Sequence, residues 1–211
     1  MMCSALTEAS RARLLAGLGL LVLAALVASG VAPYDRATWL LEVAPALLAV
    51  PVLWATWRRY PLTTLLYALI ALHMGVLILG GAYTYARVPL GFWLQDWFAL
   101  GRNPYDKIGH FMQGLVPAMV AREVLLQRGY LGSRRMAAFL SVCVAMAISA
   151  VYELIEWGVA LAAGEGATDF LGTQGDPWDT QSDMFWALIG AMAAVTLLRR
   201  WHDRQMAQLR Y

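Results

Sequence analysis

The chain has 211 residues and a mass of 23.2 kDa; 60% of its residues are hydrophobic, only 14% are charged, and the mean hydropathy is +0.56. This composition excludes an ordinary soluble protein, and the length allows at most some six or seven helical spans of about 20 residues each, without a large extramembrane domain. The net charge of +2 gives no support for nucleic-acid binding, and Cys3 and Cys143 give none for a disulfide or a thiolate metal site.

Six apolar stretches are predicted as transmembrane helices of a single domain that comprises the whole chain. They cover residues 14–31, 39–57, 62–85, 108–126, 136–163 and 177–198. A β-barrel is disfavoured because no alternating pattern of about ten residues occurs, so the fold class is an all-α membrane bundle. The first stretch follows Arg11 and Arg13 and ends near Ala28, Ser29 and Gly30, so it is also compatible with a cleavable signal peptide.

The distribution of Lys and Arg predicts the orientation of these spans. With the N-terminus in the cytoplasm, twelve of the sixteen basic residues lie on the cytoplasmic side: Arg11, Arg13, Arg58, Arg59, Arg122, Arg128, Arg134, Arg135, Arg199, Arg200, Arg204 and Arg210. The positive-inside rule therefore places both termini in the cytoplasm of a bacterial inner membrane. Arg122 and Glu123, near the inner end of the fourth span, are interpreted as an interfacial pair.

Two outer connections, residues 86–107 and 164–176, are longer than the inner links. Long loops are usually functional or disordered. The first contains Phe92, Trp93, Trp97 and Phe98, and its apolar residues recur at helical spacing over residues 90–100. The sequence therefore predicts a short helix in the membrane interface.

Ionisable residues inside the predicted spans are costly in a bilayer and need an explanation. In the fourth span, Asp106 and His110 are four residues apart, and Gln113 follows one turn later. In the fifth span, Glu153 and Glu156 share a helix face with Ser149. These side chains all lie toward the predicted outer side of the membrane.

The sixth span adds a third acidic set. Asp176 and Pro177 are typical of a helix start, with Asp176 as the N-cap residue, and Asp179 and Asp183 follow on the same helix face. Three helices that each present acidic or imidazole groups toward one membrane side predict a shared polar site.

Two chemistries fit such a site, and the spacing does not separate them. Carboxylates and one imidazole suit Mn²⁺, Fe²⁺, Zn²⁺ or Mg²⁺, and the candidate metal ligands are Asp106, His110, Glu156, Asp179 and Asp183. The same groups could act as general acids and bases without metal, with His110, Glu153, Glu156 and Asp183 as candidate catalytic residues. The candidate substrate-binding residues are Arg102, Gln113, Gln174 and Trp178.

Non-catalytic interpretations compete with both. The acidic residues are also typical of helix caps and interhelical hydrogen bonds. Small residues in the sixth span are typical of close helix contacts, namely Ala187, Gly190, Ala191 and Ala194. His73 is interpreted as a packing or hydrogen-bonded residue. The alternatives to an enzyme acting on a lipid-linked substrate are a small transporter with a proton relay, and a structural membrane protein.

Several motifs resemble the YjdF family of bacterial inner-membrane proteins. They lie at His73, residues 83–85, 102–111, 113–114, 117–118, 122–123, 153–157, 170–176, 178–181 and 183–184. The resemblance covers roughly residues 60–200 and implies an inner-membrane protein without an established activity.

A fainter similarity concerns the VanZ-like membrane proteins, which are linked to glycopeptide resistance and the cell envelope. It is carried by the spacing of Asp106, Lys107 and His110 and by that of Asp179 and Asp183, although Ala187 stands where that family usually has asparagine. The similarity implies an outer-leaflet site with an envelope lipid or its headgroup as ligand.

Overall fold

A computed structural model describes residues 8–163 and 173–209 of the chain. Every regular element in these ranges is helical, which confirms the predicted all-α fold. The helices are α1 (Glu8–Val31), α2 (Arg36–Thr56), α3 (Thr64–Tyr83), α4 (Pro89–Trp97), α5 (Tyr105–Gln127), α6 (Arg134–Ala163), α7 (Asp179–Thr196) and α8 (Arg199–Met206), with a 3₁₀ turn at Tyr85–Arg87.

The six predicted spans coincide with the six long helices, whose ends differ from the predicted ends by a few residues. By length and hydropathy, α1, α2, α3 and α6 can each cross a membrane, and α7 qualifies only together with α8, to which it is bent by 54°. Among the described helices α5 does not qualify, because it carries charged residues along its length. The described chain therefore has four or five candidate spans, and six crossings stay a prediction.

Helix α5 is the centre of the bundle. It packs against α3, α6 and α7, while α1 and α2 pack against the other side of α3. We call the end where α5 and α7 begin, with Asp106 and Asp179, the acidic end of the bundle. We call the opposite end, which holds Arg122 and α8, the basic end. This arrangement explains the polarity of α5, since its polar side chains face other helices.

The closest helix contact joins α5 and α7 through small residues. A Cβ atom built on Gly114 would lie 1.8 Å from the carbonyl oxygen of Ala187, and one on Gly190 would lie 2.0 Å from the carbonyl oxygen of Phe111. Ala187, Ala191 and Ala194 are fully buried. The predicted small-residue contact is thus present, and it holds the acidic side chains of the two helices at short range.

Polar caps fix the ends of α2 and α3. The Asp35 carboxylate accepts a hydrogen bond of 2.7 Å from the Thr38 amide, and the amide of Tyr34 donates to the carbonyl oxygen of Ala82 at 2.9 Å. The Thr38 amide, with its hydroxyl and the neighbouring amides, holds the pKa of Asp35 below its usual value. The start of α2 is thereby joined to the end of α3.

The predicted interfacial helix is present as α4. Pro89 occupies its first turn, where a missing amide proton costs nothing, and Trp93 and Trp97 are exposed. Their position at headgroup depth stays a prediction. Of the second long connection, residues 164–172 lie outside the described residues. Helix α7 begins at Asp179 rather than Pro177, because Asp176 accepts the Trp178 amide in a local turn and does not cap the helix.

The interpretation of Arg122 and Glu123 as an interfacial pair is wrong. Both side chains are fully buried at the basic end. Glu123 is 2.7 Å from Nε2 of His202 and accepts from the Thr63 hydroxyl at 2.7 Å, whereas Arg122 donates to Nδ1 of His202 at 2.8 Å and to Asp203 at 2.5 Å. The network therefore fastens α8 to α3 and α5, a partnership that spacing along one helix does not reveal.

Candidate functional site

Acidic residues of three helices surround the imidazole of His110. On its own helix α5, Asp106 Oδ1 lies 3.3 Å from Nε2. Asp183 of α7 approaches the same nitrogen to 3.7 Å through Oδ2, and Glu153 of α6 lies 3.8 Å from Nδ1. The convergence predicted from the spacing of these residues is thus present for Asp106 and His110 of α5, for Glu153 of α6 and for Asp183 of α7.

Three of these residues could hold a metal ion. Asp106, His110 and Asp183 each offer a ligand atom, and these atoms all lie within 4.8 Å of one another. Two ligand atoms about 2.0–2.2 Å from one ion at a tetrahedral angle lie about 3.3–3.6 Å apart. The distances of 3.3 and 3.7 Å from Nε2 to the two carboxylates therefore approach the spacing of a coordination shell.

The second ring nitrogen of His110 has its own partner. Nδ1 lies 3.1 Å from Oε1 of Gln113, one helical turn further along α5. A carbonyl oxygen only accepts, so this bond requires the proton on Nδ1. Nε2 then either carries a second proton or turns its lone pair toward the carboxyl groups of Asp106 and Asp183, and in the second case a cation or a proton on one of these carboxyl groups must lie between them.

Carboxylate oxygens at the site also lack hydrogen bonds. Asp183 is only 2% exposed, and its Oδ1 has no hydrogen-bond partner in the described part of the chain. The same holds for Oδ2 of Asp106 and Oε1 of Glu153. Because a buried carboxylate without a partner is costly, these oxygens require a ligand, a proton or water.

Asp179 does not join the group that was predicted to bind metal. Its carboxylate accepts a hydrogen bond of 2.5 Å from Arg102, which also lies 3.2 Å from Asp176. Burial tends to lower the pKa of Arg102, but the hydrogen bond and charge of Asp179 and the charge of Asp176 raise it above its usual value. The prediction that Asp179 binds metal is therefore corrected. The loop before α5 supplies the Arg102 guanidinium as its partner, and the residue spacing within one helix cannot show a partner from another segment.

The predicted substrate-binding residues are placed differently from one another. Arg102 and Gln174 connect the loop before α5 to the segment before α7, since Arg102 donates to the carbonyl oxygen of Thr173 at 2.6 Å and the Gln174 amide donates to that of Asn103 at 3.0 Å. Trp178 is exposed, and Gln113 lies beside His110. Their contact with a substrate stays a prediction.

Glu156 lies outside the three-residue group, on the wall of an adjoining cavity of about 530 Å³. Glu42 of α2 lines the same cavity and accepts a hydrogen bond of 3.3 Å from the hydroxyl of Tyr152, whose ring stands edge-on to His110 at 6.2 Å. Sequence reasoning missed Glu42 and Tyr152 as neighbours of the site. The available signal was Glu42 itself, a carboxylate in an apolar span.

His73 also lines this cavity, and its Nε2 is shielded from solvent without a hydrogen-bond partner in the described residues. The sequence allowed either packing or hydrogen bonding for His73, and within the described residues this nitrogen is packed without a hydrogen bond. The buried Oγ of Ser149, on the face that it was predicted to share with Glu153, likewise lacks a partner within the described ranges. The site region therefore contains more polar atoms than the described chain satisfies.

The chain matches one protein family and one named relative over most of its length. Residues 14–204 match the family described as "Predicted membrane protein (DUF2238)". The sequence is 61% identical over 181 residues to the protein named "Inner membrane protein YjdF" of Escherichia coli (strain K12), which covers 86% of this chain and 87% of that protein.

No solved structure matches the chain. Neither of the two matches is to a VanZ-like protein, so that resemblance stays a prediction, whereas the resemblance to YjdF is confirmed. With its helical fold and matches over most of its length, the chain belongs to the DUF2238 family of predicted membrane proteins.

Proposed function

We propose that this inner-membrane protein binds one divalent cation through Asp106, His110 and Asp183 and uses the site for acid/base chemistry on an envelope lipid. The observation that carries the proposal is the position of His110 Nε2, 3.3 and 3.7 Å from two carboxylates while Nδ1 is held by Gln113. Histidine ligands of metals typically donate their other N–H to such a partner, which fixes the tautomer.

The chain supplies specific groups for such chemistry. A bound cation would polarise a substrate oxygen or lower the pKa of a bound water. Glu153 lies on the opposite side of His110 from Asp183 and has an oxygen without a hydrogen-bond partner in the described residues, so it is the candidate general base. Asp179 and Arg102 act from outside by holding the start of α7 in place.

The orientation is part of the proposal. The basic end of the bundle carries Arg122, Arg134 and the arginines of α8, and the acidic end carries the site. The positive-inside rule then places the basic end and both termini in the cytoplasm and the site at the extracytoplasmic face. Such a site lies on the side of the outer leaflet.

A proton-relay transporter is the less favoured alternative. Glu42, Tyr152 and Glu156 follow one another along the cavity wall, as a relay requires. Toward the basic end, however, the cavity is lined by Leu53, Val120 and other apolar side chains, so the described residues do not continue the polar path. A structural role is less favoured because the acidic groups converge.

Metal analysis tests the cation site directly. The full-length protein, purified in detergent and incubated with Mn²⁺, Fe²⁺, Zn²⁺ or Mg²⁺ in turn, is expected to retain about one ion per chain of the preferred metal. Asp183→Asn and His110→Ala are expected to lose it. Asp96→Asn, an exposed carboxylate on α4, is the matched control and should retain it. Background metal in the wild type would overturn the cation site.

The lipid substrate requires a separate measurement. Membranes of cells that carry the wild-type protein should differ in their lipid mass profile from membranes with Asp183→Asn at equal protein level. An unchanged profile would contradict lipid chemistry while leaving the metal result as it stands.

A further inference from the structure

The cavity beside the candidate site extends along much of the bundle. It has a volume of about 530 Å³ and lies between α2, α3, α5 and α6. Gly109 and Val124 of α5 both line it, and 15 residues of helix correspond to about 22 Å at about 1.5 Å per residue. This volume is typical of ligand sites, and the length exceeds one half of a hydrocarbon core of about 30 Å.

We propose that this cavity binds one hydrocarbon chain of an amphiphile whose head donates hydrogen bonds, bears no negative charge and lies at the acidic end. That this amphiphile is a substrate rests on the proposed function, whereas its binding in the cavity is independent of that function. The proposal follows from three features of the cavity: the polarity of its lining, the polar atoms at its acidic end and the position of its opening.

Polar lining residues are confined to one end of the cavity. Glu42, His73, Asp106, Tyr152 and Glu156 lie toward the acidic end. From there to the basic end the lining consists of aliphatic side chains, among them those of Ala49, Leu53, Val120, Ala121 and Val124. An amphiphile with a polar head and one hydrocarbon chain matches this division of the lining. Its hydrocarbon chain would contact the apolar surface, and its head would form hydrogen bonds with the polar atoms.

The polar end selects a particular kind of head. Three carboxylates, those of Glu42, Asp106 and Glu156, lie there with the imidazoles of His73 and His110, and the described lining contains no Lys or Arg. An anionic head would therefore be repelled unless a cation lay between, whereas hydroxyl or ammonium donors would find acceptors at Glu42 and Glu156. His73 Nε2, which has no hydrogen-bond partner in the described residues, supplies a further contact.

The cavity opens sideways toward the bilayer. Helices α2 and α6 line opposite walls but are not closely packed on each other. Val52 of α2 and Ile148 of α6 belong to the lining, and both are exposed. Between them, the hydrogen bond from Tyr152 to Glu42 crosses the gap near the acidic end. A hydrocarbon chain can thus enter from the membrane on the side of this hydrogen bond that faces the basic end.

Binding of labelled monooleoylglycerol to the full-length, chelator-treated protein in detergent tests the proposal independently of metal. We expect about one molecule per chain in the wild type. Ala121→Trp, which fills the cavity from α5, is expected to weaken binding by about tenfold or more. Ala147→Trp on the exposed face of α6 is the matched control and should bind like the wild type.

Equal binding by both tryptophan variants, or no binding by the wild type above empty detergent micelles, would overturn the proposal. Ala49→Trp fills the cavity from α2 and repeats the test if Ala121→Trp does not fold, which its melting temperature and monodispersity report. Oleate, with the same chain and a carboxylate head, is expected to bind about tenfold more weakly at pH 8, and equal affinity would contradict the assigned head.

The outcomes separate the two proposals. Lipid binding without metal binding would leave the cavity assignment intact and remove the proposed cation chemistry. Metal binding without lipid binding would leave the proposed cation site intact and remove the cavity assignment.

Discussion

The Nδ1 atom of His110 is held 3.1 Å from the side-chain oxygen of Gln113, one turn away on the same helix. This contact decides which ring nitrogen faces the carboxylates of Asp106 and Asp183. An imidazole without such a partner would rotate or exchange tautomers. The polar site is therefore defined by four residues, of which Gln113 positions the ring and the other three face the proposed cation.

Gln113→Leu is expected to weaken metal binding by about 10- to 100-fold, because the proton on Nδ1 loses its acceptor and the ring its fixed orientation. Isothermal titration of the chelator-treated protein measures this change. Gln113→Glu retains an acceptor and should preserve most of the affinity. Equal loss in both variants would contradict the positioning role of Gln113.

Gly114→Ala is expected to lower the melting temperature of the detergent-solubilised protein strongly. Its Cβ would lie 1.8 Å from the carbonyl oxygen of Ala187, so α5 and α7 must separate, at a cost of at least the ~1–3 kcal/mol typical of overpacking. Gly158→Ala on α6 meets nothing within 4 Å and should be neutral or stabilising. Similar melting temperatures for both variants would contradict this close contact.

Arg122→Leu is expected to destabilise the protein by about 3–5 kcal/mol, because it leaves the buried His202 without its donor and removes one of the two arginines that pair with Asp203. Thermal unfolding monitored by fluorescence compares this variant with Arg135→Leu, whose side chain is exposed at the same end. We expect Arg135→Leu to change stability by less than about 0.5 kcal/mol. A small effect of Arg122→Leu would show that α8 is not fastened through this network.

Asp35→Ala is expected to cost about 0.5–2 kcal/mol near pH 7, since the Thr38 amide loses its acceptor. The pKa of Asp35 is lowered in the fold, so its stabilisation is present above the unfolded value of about 3.9 and is lost as pH falls through the folded pKa.

The difference in melting temperature between wild type and Asp35→Ala should therefore shrink below about pH 4. Asp35→Asn caps without titrating, so its difference from Asp35→Ala should not depend on pH. A constant difference between wild type and Asp35→Ala down to pH 3 would contradict this account.

The positions of the long helices followed from hydropathy alone, and α4 from helical spacing within the first outer loop. The convergence of Asp106, His110 and Asp183 was also predictable, because residues three or four apart share a helix face and a charged face in a membrane turns inward. The exclusion of Asp179 was not predictable. It depends on Arg102, which is separated from it by 77 residues along the chain.

Arg122 and Glu123 illustrate the same limit at the other end of the bundle. Adjacent opposite charges near a helix end suggested a pair at the membrane interface. In the structure each has its own partners on α8 or at the start of α3, and both are fully buried. His202 joins them from a tail segment that carries no hydropathy signal.

Sequence by itself determined that the chain is a helical membrane protein with acidic and imidazole groups on three helices, because apolar runs and residue spacing act locally along the chain. Only the tertiary structure decided which of these groups meet. Gly114 and Gly190 allow α5 and α7 to approach until Asp183 reaches His110, and the gap between α2 and α6 forms the cavity. Both depend on contacts between segments far apart in sequence, which no local pattern encodes.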